Sequence, residues 1–455
     1  MKFIGISFVL MLCTCVANSQ ERISSRNNTI VFKSVNVVPM EKEEVLTNQT
    51  VVVRDGQITA IGPEGKVTID AGATVIDAKG KYLIPGLSEM HAHVPPIDDI
   101  EPMKEVLFLY LANGITTIRG MLGHTRHLEL RTKLQAGEIL GPHLYTTGPS
   151  FSGLSVKTAD YAEKLVREQK AAGYDYLKLH PGLTNETLSA IAKTAKEVGI
   201  PFAGHVSFRV GIWKAIDAGY SSIDHLDGFI EGMVPGIDSL DEQKTGLFGI
   251  FVADRADTTQ TRKLMTALRT HNVWVVPTQA LAERWLAPLP SEVFERGQEM
   301  KYMKQEDLTA WVASKKSMMA NAAYEPAKAA AYVKLRRRLI FECQRQGVGL
   351  LLGSDAPQVF NVPGFSIHHE LNYLVNSGLT PYEALRTGTV NVAKYLGKSA
   401  NTGAVKAGYV SDLVLLSGNP LDDIWQTRNI EGVMLGTEWL PKSWIQGELK
   451  KYAKR

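Results

Sequence analysis

The sequence contains little cysteine, with three residues in a chain of 455. Cys13 and Cys15 lie near the start of the chain, and Cys343 is the third. Removal of the leading segment would leave one thiol, which excludes an internal disulfide in the mature chain. The fold must therefore be stabilised by burial of apolar side chains or by bound metal.

A charge bias is also missing. The 50 Lys and Arg residues are nearly balanced by 47 Asp and Glu residues, and no block of like charges stands out. Proteins that bind nucleic acid or an anionic membrane surface usually carry basic patches. Neither partner is expected here. A small-molecule substrate is favoured, and a homo-oligomer is compatible with the sequence.

The N-terminal apolar run is too short to cross a membrane. It extends from Phe3 to Val16, whereas a spanning helix needs ~20 apolar residues, so no stable membrane span is expected. Lys2 precedes the run, and Ala17 and Ser19 are small residues suited to cleavage after Ser19. Residues 1–19 are therefore predicted to be a signal peptide, and the protein to be periplasmic or secreted.

A lipoprotein signal is the alternative for the same segment, with Cys15 as the lipidated residue. Thr14 is a poor residue immediately before such a cysteine. Plain export is therefore favoured over anchoring at Cys15.

Both ends of the mature chain are predicted to be β-structure. Residues 28–84 are rich in β-branched side chains, and Asp55-Gly56 is a hairpin signal. Near the C-terminus, "SDLVLLSG", "IEGVMLG" and "SWIQGEL" are predicted as short strands between glycines. The simplest arrangement is one small composite β-sandwich domain, built from residues 20–84 and 396–455 around a central insertion.

The central part, residues 85–395, alternates strands and helices. The candidate strands are "YLIPGLSEMHAH", "GITTIRG", "HLYTTG", "DYLKLH", "PFAGHV", "SSIDHL", "VWVVPT" and "VGLLLGSD". Helices are predicted in "TNETLSAIAKTAKEVG", which stops at Gly199, and in "TPYEALRTGTVNVAKYLG", which opens with a capping box at Thr380. This α/β pattern predicts a (β/α)8 TIM barrel. A doubly wound sheet is the alternative, but no G-x-G-x-x-G follows any of these strands.

Polar residues stand at the ends of several candidate strands. In a parallel barrel these ends meet at one mouth, where the catalytic groups of barrel enzymes lie. The residues are His91, His93, Lys178, His180, His205, His225 and Asp355. A single buried histidine is more often a core residue than a ligand, and Asp355 taken alone could cap a helix. The whole set, in this order along the strands, predicts a metal site, because imidazole and carboxylate groups suit Zn²⁺ and similar ions.

Several segments resemble the amidohydrolase superfamily. "PGLSEMHAHV" is similar to its first-strand signature, and "GITTIRG", "AGEILGPHLYTTG", "AIDAGYSSIDHLDG", "LLGSDAP" and "GAVKAGYVSDLVLLSGNPLDDI" resemble its imidazolonepropionase-like branch, which includes metal-dependent dipeptidases. The resemblance covers nearly the whole mature chain. It implies a metal-bearing barrel beside a composite β-sandwich, with a ligand set of His91, His93, His205, His225 and Asp355.

Lys178 distinguishes two metals from one. A lysine ammonium has no lone pair for a metal. The resemblance implies that Lys178 reacts with CO₂ to form a carbamate, which would bridge two Zn²⁺ ions per chain; other divalent metals are compatible. Mononuclear relatives commonly carry a glutamate three residues after the strand-five histidine, where this chain has Phe208. An ordinary Lys178 paired with an acid remains the alternative, and with it a mononuclear deaminase or cyclic-amide hydrolase.

The predicted reaction is hydrolysis of an amide C–N bond by a metal-bridged hydroxide, with Asp355 as general base. The substrate class implied by the resemblance is a dipeptide or an N-acyl amino acid. His180 and Arg119 are candidate substrate-binding residues. A role for His180 in orienting a ligand, and a structural ion pair for Arg119, are equally open.

Overall fold

The computed structural model describes residues 21–26 and 28–455, so the predicted signal peptide at 1–19 lies outside the described residues. The described part contains sixteen β-strands. They are β1 (Ile23–Ser24), β2 (Thr29–Val37), β3 (Leu46–Arg54), β4 (Gln57–Pro63), β5 (Thr74–Asp77), β6 (Tyr82–Pro85), β7 (Leu87–Ala92), β8 (Ile115–Gly120), β9 (His143–Thr146), β10 (Leu177–Leu179), β11 (Phe202–Gly204), β12 (Ser222–Asp224), β13 (Trp274–Val276), β14 (Leu413–Leu416), β15 (Ile430–Leu435) and β16 (Glu438–Pro441).

Fourteen α-helices occur in the same described ranges, of which α1 to α6 lie between the central strands β7 to β13. They are α1 (Glu101–Ala112), α2 (Arg126–Gln135), α3 (Ala159–Ala172), α4 (Asn185–Val198), α5 (Gly211–Ala218), α6 (Thr261–Thr270), α7 (Gln279–Trp285), α8 (Glu292–Glu295), α9 (Gln305–Met319), α10 (Pro326–Gln346), α11 (Ser366–Asn376), α12 (Pro381–Thr387), α13 (Val390–Tyr395) and α14 (Lys442–Tyr452). Within the residues described, none combines the length and apolar composition that crossing a bilayer requires.

The two ends of the chain form one nine-stranded sheet. Its order is β1-β16-β15-β14-β6-β2-β3-β4, with β5 paired to β2. β6 joins the two ends, because it pairs in parallel with β2 and antiparallel with β14. The composite β-structure expected from the sequence is therefore present. Its hydrogen bonds trace a single sheet, and the two-layer sandwich remains a prediction.

An apolar cluster separate from the central core holds the two ends together. It contains alternate residues of β2 such as Ile30 and Phe32, together with Leu413 and Trp439 from the C-terminal strands. The rings of Phe32 and Trp439 meet edge to face with centroids 5.1 Å apart, and both side chains are buried. Burial of this aromatic pair requires both ends of the chain.

Phe32→Ala tests this contact. The change deletes a fully buried ring from the shared cluster, so we expect the free energy of unfolding to fall by about 3–5 kcal/mol. Urea unfolding followed by intrinsic fluorescence measures the change. Val75→Ala is the control, because Val75 on β5 is 49% exposed, and we expect it to shift stability by less than about 0.5 kcal/mol. Equal losses in the two variants would contradict the assignment.

The central strands form two parallel sheets, β7-β8-β9 and β10-β11-β12-β13. An isolated parallel bridge between Thr147 and Tyr176 continues the order from β9 to β10, and another links Val275 to Leu350. The Met90 N–H then donates to the Leu352 carbonyl over 2.8 Å, which brings the order back to β7. The eighth candidate strand, "VGLLLGSD", is thus present as a hydrogen-bonded segment without a regular strand.

Glycine at position 353 permits this segment to approach its neighbours. A Cβ placed there would lie 2.5 Å from a methyl group of Val276 and 3.0 Å from the backbone nitrogen of His91. A larger residue would force the segment away from β7. The two residues that follow, Ser354 and Asp355, are held close to His91 for this reason.

Two of the helix predictions can be compared directly with the structure. α4 ends before Gly199, as predicted, and this glycine has the left-handed conformation. The helix begins with a capping box at Thr184. The capping box at Thr380 is also present. The segment after it is two helices rather than one, because the chain leaves helical geometry at Gly388 and Thr389 between α12 and α13.

The prediction of a strand at "SWIQGEL" is wrong. The segment lies within α14. Ile445, Leu449 and Tyr452 are spaced as on one helix face, and they pack on the outside of α1. Phe108 of α1 contacts the rings of Trp444 and Tyr452 at 5.8 and 5.4 Å. Burial of this face overrides the short-strand appearance of the sequence.

Candidate metal centre

The predicted ligands lie at corresponding ends of neighbouring parallel strands. His91 is in β7 with His93 just beyond it, and Lys178 is in β10. His205 and His225 directly follow β11 and β12. Since neighbouring strands run in the same direction, their carboxyl ends share one edge and their side chains converge there.

Asp355 and Lys178 complete the cluster. Asp355 Oδ1 lies 3.1 Å from His93 Nε2 and 3.6 Å from His91 Nε2, and its Oδ2 lies 3.6 Å from His225 Nδ1. Lys178 Nζ lies 3.2 Å from His91 Nε2. The strand order therefore brings these five side chains into one buried group.

The imidazole rings form a continuous row. The ring centroids of His91 and His225 are 4.4 Å apart, as are those of His225 and His205. His93 is 5.4 Å from His91 at one end, and His180 is 5.1 Å from His205 at the other. All six residues predicted as ligands are thus contiguous, with His180 at the edge of the group.

Three of these histidines have their Nδ1 atoms occupied. His91 Nδ1 lies 2.8 Å from Asp224 Oδ2, and His205 Nδ1 lies 3.0 Å from Asp227 Oδ2. A carboxylate at this position accepts the Nδ1 proton, which leaves the Nε2 lone pair available to a metal. Sequence reasoning missed both aspartates, although they flank His225 in "SSIDHLDG".

His225 is oriented by a hydroxyl group instead. Its Nδ1 lies 2.9 Å from Thr278 Oγ1. No sequence motif marked Thr278, because it follows the seventh strand and meets His225 only in the folded chain. Both residues have left-handed backbone conformations, with φ of 64° and 44°, as does Asp355 with 62°. Such conformations cost of order 1–3 kcal/mol each outside glycine and are concentrated at functional sites.

Burial keeps the imidazoles neutral. It lowers the pKa of His93 and of His205 to about 3, and Lys178 adds to the effect. The pKa values of His91 and His225 are also held well below the usual range, again mainly by burial. A neutral imidazole is the form that binds a metal.

The donor atoms fit a divalent cation. His91, His225 and Asp355 each offer one atom, and these atoms lie within 4.8 Å of one another. His225 Nε2 and Asp355 Oδ1 are buried and form no hydrogen bond with any described group. Buried polar atoms without partners are rare in folded proteins. A bound cation would satisfy both atoms.

Lys178 is buried without a paired acid. Among the residues described, no carboxylate forms an ion pair with its ammonium group, whose nearest polar contact is His91. Burial lowers the pKa of Lys178, and the nearby Asp224 and Asp355 oppose this. The alternative of an ordinary lysine paired with an acid therefore lacks a partner at close range.

Arg119 does not face the substrate side of the cluster, which corrects the prediction that it binds substrate. It is fully buried, and its guanidinium donates to the Met90 carbonyl, to Ser222 and Tyr395, and to Asp224 at 3.3 Å. These contacts match the structural ion pair that the sequence left open. Arg119 holds the carboxylate that orients His91.

Glu89 links β7 to the segment that carries Asp355. Its carboxylate accepts hydrogen bonds from the backbone N–H of His91 and from the backbone and hydroxyl of Ser354. Burial raises the pKa of Glu89 to about 8. Glu89 therefore fixes the distance between the segments that carry the predicted ligands His91 and Asp355, and it is not itself a member of the cluster.

Comparison with known proteins agrees with this architecture. Residues 82–440 match the model of the amidohydrolase family. An ochratoxinase from Aspergillus niger is 23% identical over 436 residues, which covers 87% of this chain and 82% of that protein. An imidazolonepropionase from Symbiobacterium thermophilum is 24% identical over 405 residues, covering 83% and 86%. The solved structure of a Xaa-Pro dipeptidase with methionine in its active site superposes with a TM-score of 0.66 at 18% identity, covering 91% of this chain and 100% of that one.

The family match defines the class of the protein as a hydrolase, and the His/Asp cluster at the ends of the parallel strands could hold a metal ion. The chain belongs to the amidohydrolase family and is an enzyme that acts on carbon–nitrogen bonds. The resemblance recognised in the sequence is thereby confirmed.

Asp224→Asn tests the orientation of His91. The change removes the negative charge that holds the Nδ1 proton, so we expect metal affinity to fall by about 10–100-fold. Competition with a chromophoric chelator measures this directly. Asp217→Asn is the control, because Asp217 is exposed and its ion pair within the described residues is with the surface residue His271. Unchanged affinity in Asp224→Asn would show that the carboxylate does not orient the ligand.

Proposed function

We propose that this enzyme hydrolyses the amide bond of a dipeptide or an N-acyl amino acid with two divalent metals, Zn²⁺ being favoured. His91, His93, His205, His225, Asp355 and carboxylated Lys178 would hold them. When bound, the metals supply Lewis acidity and make water a nucleophile near neutral pH. The observation that carries the proposal is that His225 Nε2 and Asp355 Oδ1 are buried without a hydrogen bond beside neutral imidazoles, although Asp355 Oδ1 lies 3.1 Å from His93 Nε2.

Carboxylation of Lys178 follows from its surroundings. Burial favours loss of a proton from the ammonium group to solvent. The lone pair of the resulting amine would form a bond to the carbon of CO₂ while one C–O π bond breaks, and the nitrogen would release a second proton to solvent. The product carries a negative charge in place of a positive one. This change removes an unpaired buried cation and supplies two oxygen donors beside His91.

Asp355 is proposed as the general base. Its carboxylate faces the imidazoles of His91, His93 and His225. It would accept a proton from the attacking water as the new C–O bond forms. It would then deliver this proton to the amide nitrogen as the C–N bond breaks. Burial raises the pKa of Asp355, which favours proton acceptance over the behaviour of a surface carboxylate.

The substrate class is supported by the space beside the cluster. A cavity of 480 Å³ is lined by His205 and by other residues that include Phe208, Trp213 and Phe248. A volume in this range suits a small peptide or a similar ligand. His180 lies at the edge of the histidine row, with its ring 5.1 Å from that of His205, which lines the cavity. We therefore keep His180 as a substrate-binding candidate. The dipeptidase that shares this fold supports a peptide substrate.

The finer architecture is proposed along with the chemistry. The parallel segments of residues 85–395 would close into a (β/α)8 barrel, supported by the hydrogen bond from Met90 to Leu352. Residues 20–84 and 396–455 would form a β-sandwich domain on the sheet shared by the two termini. In this arrangement the histidine row would lie at the mouth of the barrel.

Metal analysis combined with Lys178→Ala tests the proposal. We expect about two Zn²⁺ per parent chain and loss of both metal and amide hydrolysis in the variant. Elemental analysis and a panel of dipeptides, N-acyl amino acids, lactones and cyclic ureides provide the measurements. Lys315→Ala is the control for removal of a buried lysine. Lys315 lies outside the cluster and donates hydrogen bonds to the carbonyls of Trp285 and Ala287.

Two outcomes would contradict the binuclear mechanism. One metal per chain with an active Lys178→Ala would favour a mononuclear deaminase or cyclic-amide hydrolase. We expect Asp355→Asn to lower kcat by about 10²–10⁴-fold, as for loss of a general base. An Asp355→Asn enzyme as active as the parent would rule out the role of this carboxylate.

Export is proposed for the full chain, from the sequence of residues 1–19. We expect the mature protein to begin at Gln20 and to be recovered from the periplasm or the medium. N-terminal sequencing of natively produced protein provides the test, and labelling with a lipid precursor checks the alternative at Cys15. A mature chain that begins at Met1 would refute the proposal.

A further inference from the structure

The cavity beside His205 has an apolar wall that continues from the histidine row. Phe248 stacks on the rings of His205 and His225, with centroid distances of 6.4 and 5.2 Å and interplanar angles of 14° and 17°. Phe208, Ile212 and Trp213 line the same space. A substrate group in this cavity would therefore lie against aromatic and aliphatic surface directly next to the reacting centre.

One acidic side chain on this wall has a buried oxygen atom without a hydrogen bond. Glu231 Oε2 is buried and forms no hydrogen bond with any described group, and no other side chain that lines the cavity has such an atom within the described residues. Asp227, the neighbouring carboxylate, already accepts hydrogen bonds from His205 and from the backbone of Val206. Glu231 is thus available where Asp227 is not.

The nearby cation Arg336 attracts Glu231 but forms no direct ion pair with it among the described residues. Arg336 is fully buried, and its donors go to Gln279, to the His225 carbonyl and to the Pro277 carbonyl. Arg209 and Lys214, which do line the cavity, are exposed to solvent. A buried carboxyl oxygen without a hydrogen bond is costly, so a ligand cation that donated to Glu231 Oε2 would relieve that cost.

The backbone makes room for this carboxylate. Gly249 has a φ of +76°, and a Cβ at this position would lie 2.9–3.1 Å from the carboxyl atoms of Glu231. Any other residue at 249 would displace the Glu231 side chain as well as strain the chain. The loop that supplies Phe248 to the apolar wall therefore also sets the position of the acid.

We propose that this cavity takes an apolar substrate arm that ends in a primary ammonium or a guanidinium group, and that Glu231 recognises that cation. This inference rests on the proposed function, because it names the substrate class of the same site. The aromatic wall would bind the methylene chain of the arm, and Glu231 would form a charge-assisted hydrogen bond with its end. The substrates would be amides that carry a lysine-like or arginine-like side chain.

Paired dipeptides test the inference on the metal-loaded enzyme. Lysine and norleucine have the same straight chain and differ in the terminal ammonium. For the parent enzyme, we expect kcat/KM to be at least about tenfold higher for Gly-Lys than for Gly-norleucine, or for Lys-Gly than for norleucine-Gly. Glu231→Gln should abolish this preference and leave the norleucine peptide nearly unchanged. Glu306→Gln, the same change on the exposed surface of α9, should keep the preference.

Calorimetric binding separates recognition from turnover. In the metal-loaded Asp355→Asn chain, we expect the preferred lysine dipeptide to bind at least about tenfold more tightly than its norleucine counterpart, and the added change Glu231→Gln to remove the difference. This readout does not depend on hydrolysis. It also detects a Glu231→Gln chain that folds and binds normally but has lost its selectivity.

The outcomes distinguish this inference from the proposed function. Hydrolysis of norleucine peptides with no lysine preference in either pair would overturn the role of Glu231 and leave amide hydrolysis standing. Binding of a lysine dipeptide that depends on Glu231, with no peptide hydrolysed, would support the cavity assignment and overturn the peptidase proposal. Equal losses for both members of a pair in Glu231→Gln would show a structural role and overturn the inference.

Discussion

The site depends on one constraint: neutral imidazoles are buried with one ring nitrogen already hydrogen-bonded to the protein. Asp224, Asp227 and Thr278 hold the Nδ1 atoms of His91, His205 and His225, so the remaining nitrogens face a common space from which water is largely excluded. A folded chain tolerates such an arrangement when another group satisfies the exposed lone pairs. The left-handed backbone at His225 and Asp355 adds a further cost. The surrounding structure must therefore be rigid enough to maintain a geometry that is unfavourable without a bound cation.

That rigidity comes from contacts below the site rather than from the ligands. Arg119 ties β7 to β12 and to Tyr395, which is far away in the sequence, and the rings of Tyr176 and Tyr395 stack beside its guanidinium. Glu89 performs the same task between β7 and Ser354. Arg119 and Glu89 each connect segments that carry different predicted ligands. The precision of the site thus depends on buried polar networks whose members are all satisfied, which is the condition under which such networks stabilise a structure.

The sequence was most informative where a short motif determines a local geometry. The pair His91 and His93, the capping box at Thr380 and the stop at Gly199 could be predicted because each depends on neighbouring residues. The acceptors behind the histidines could not, because Thr278 meets His225 only after the chain has folded. Arg119 was misassigned for a related reason. A strand end can carry either a substrate-binding residue or a buried structural residue, and only the burial seen in the folded chain distinguishes the two. The strand predicted at "SWIQGEL" failed because its helical face is recognised only beside α1.

The sheet shared by the two termini has a consequence for the order of events during synthesis. β2 to β6 leave the ribosome first, yet one edge of β6 is completed by β14, which is made near the end of the chain. Until then, that edge presents unpaired backbone groups of the kind that promote pairing between chains. A C-terminally shortened protein would keep every histidine of the cluster and still expose this edge. Quality control of the nascent polypeptide, rather than the chemistry of the active centre, would then limit how much of such a truncated form accumulates.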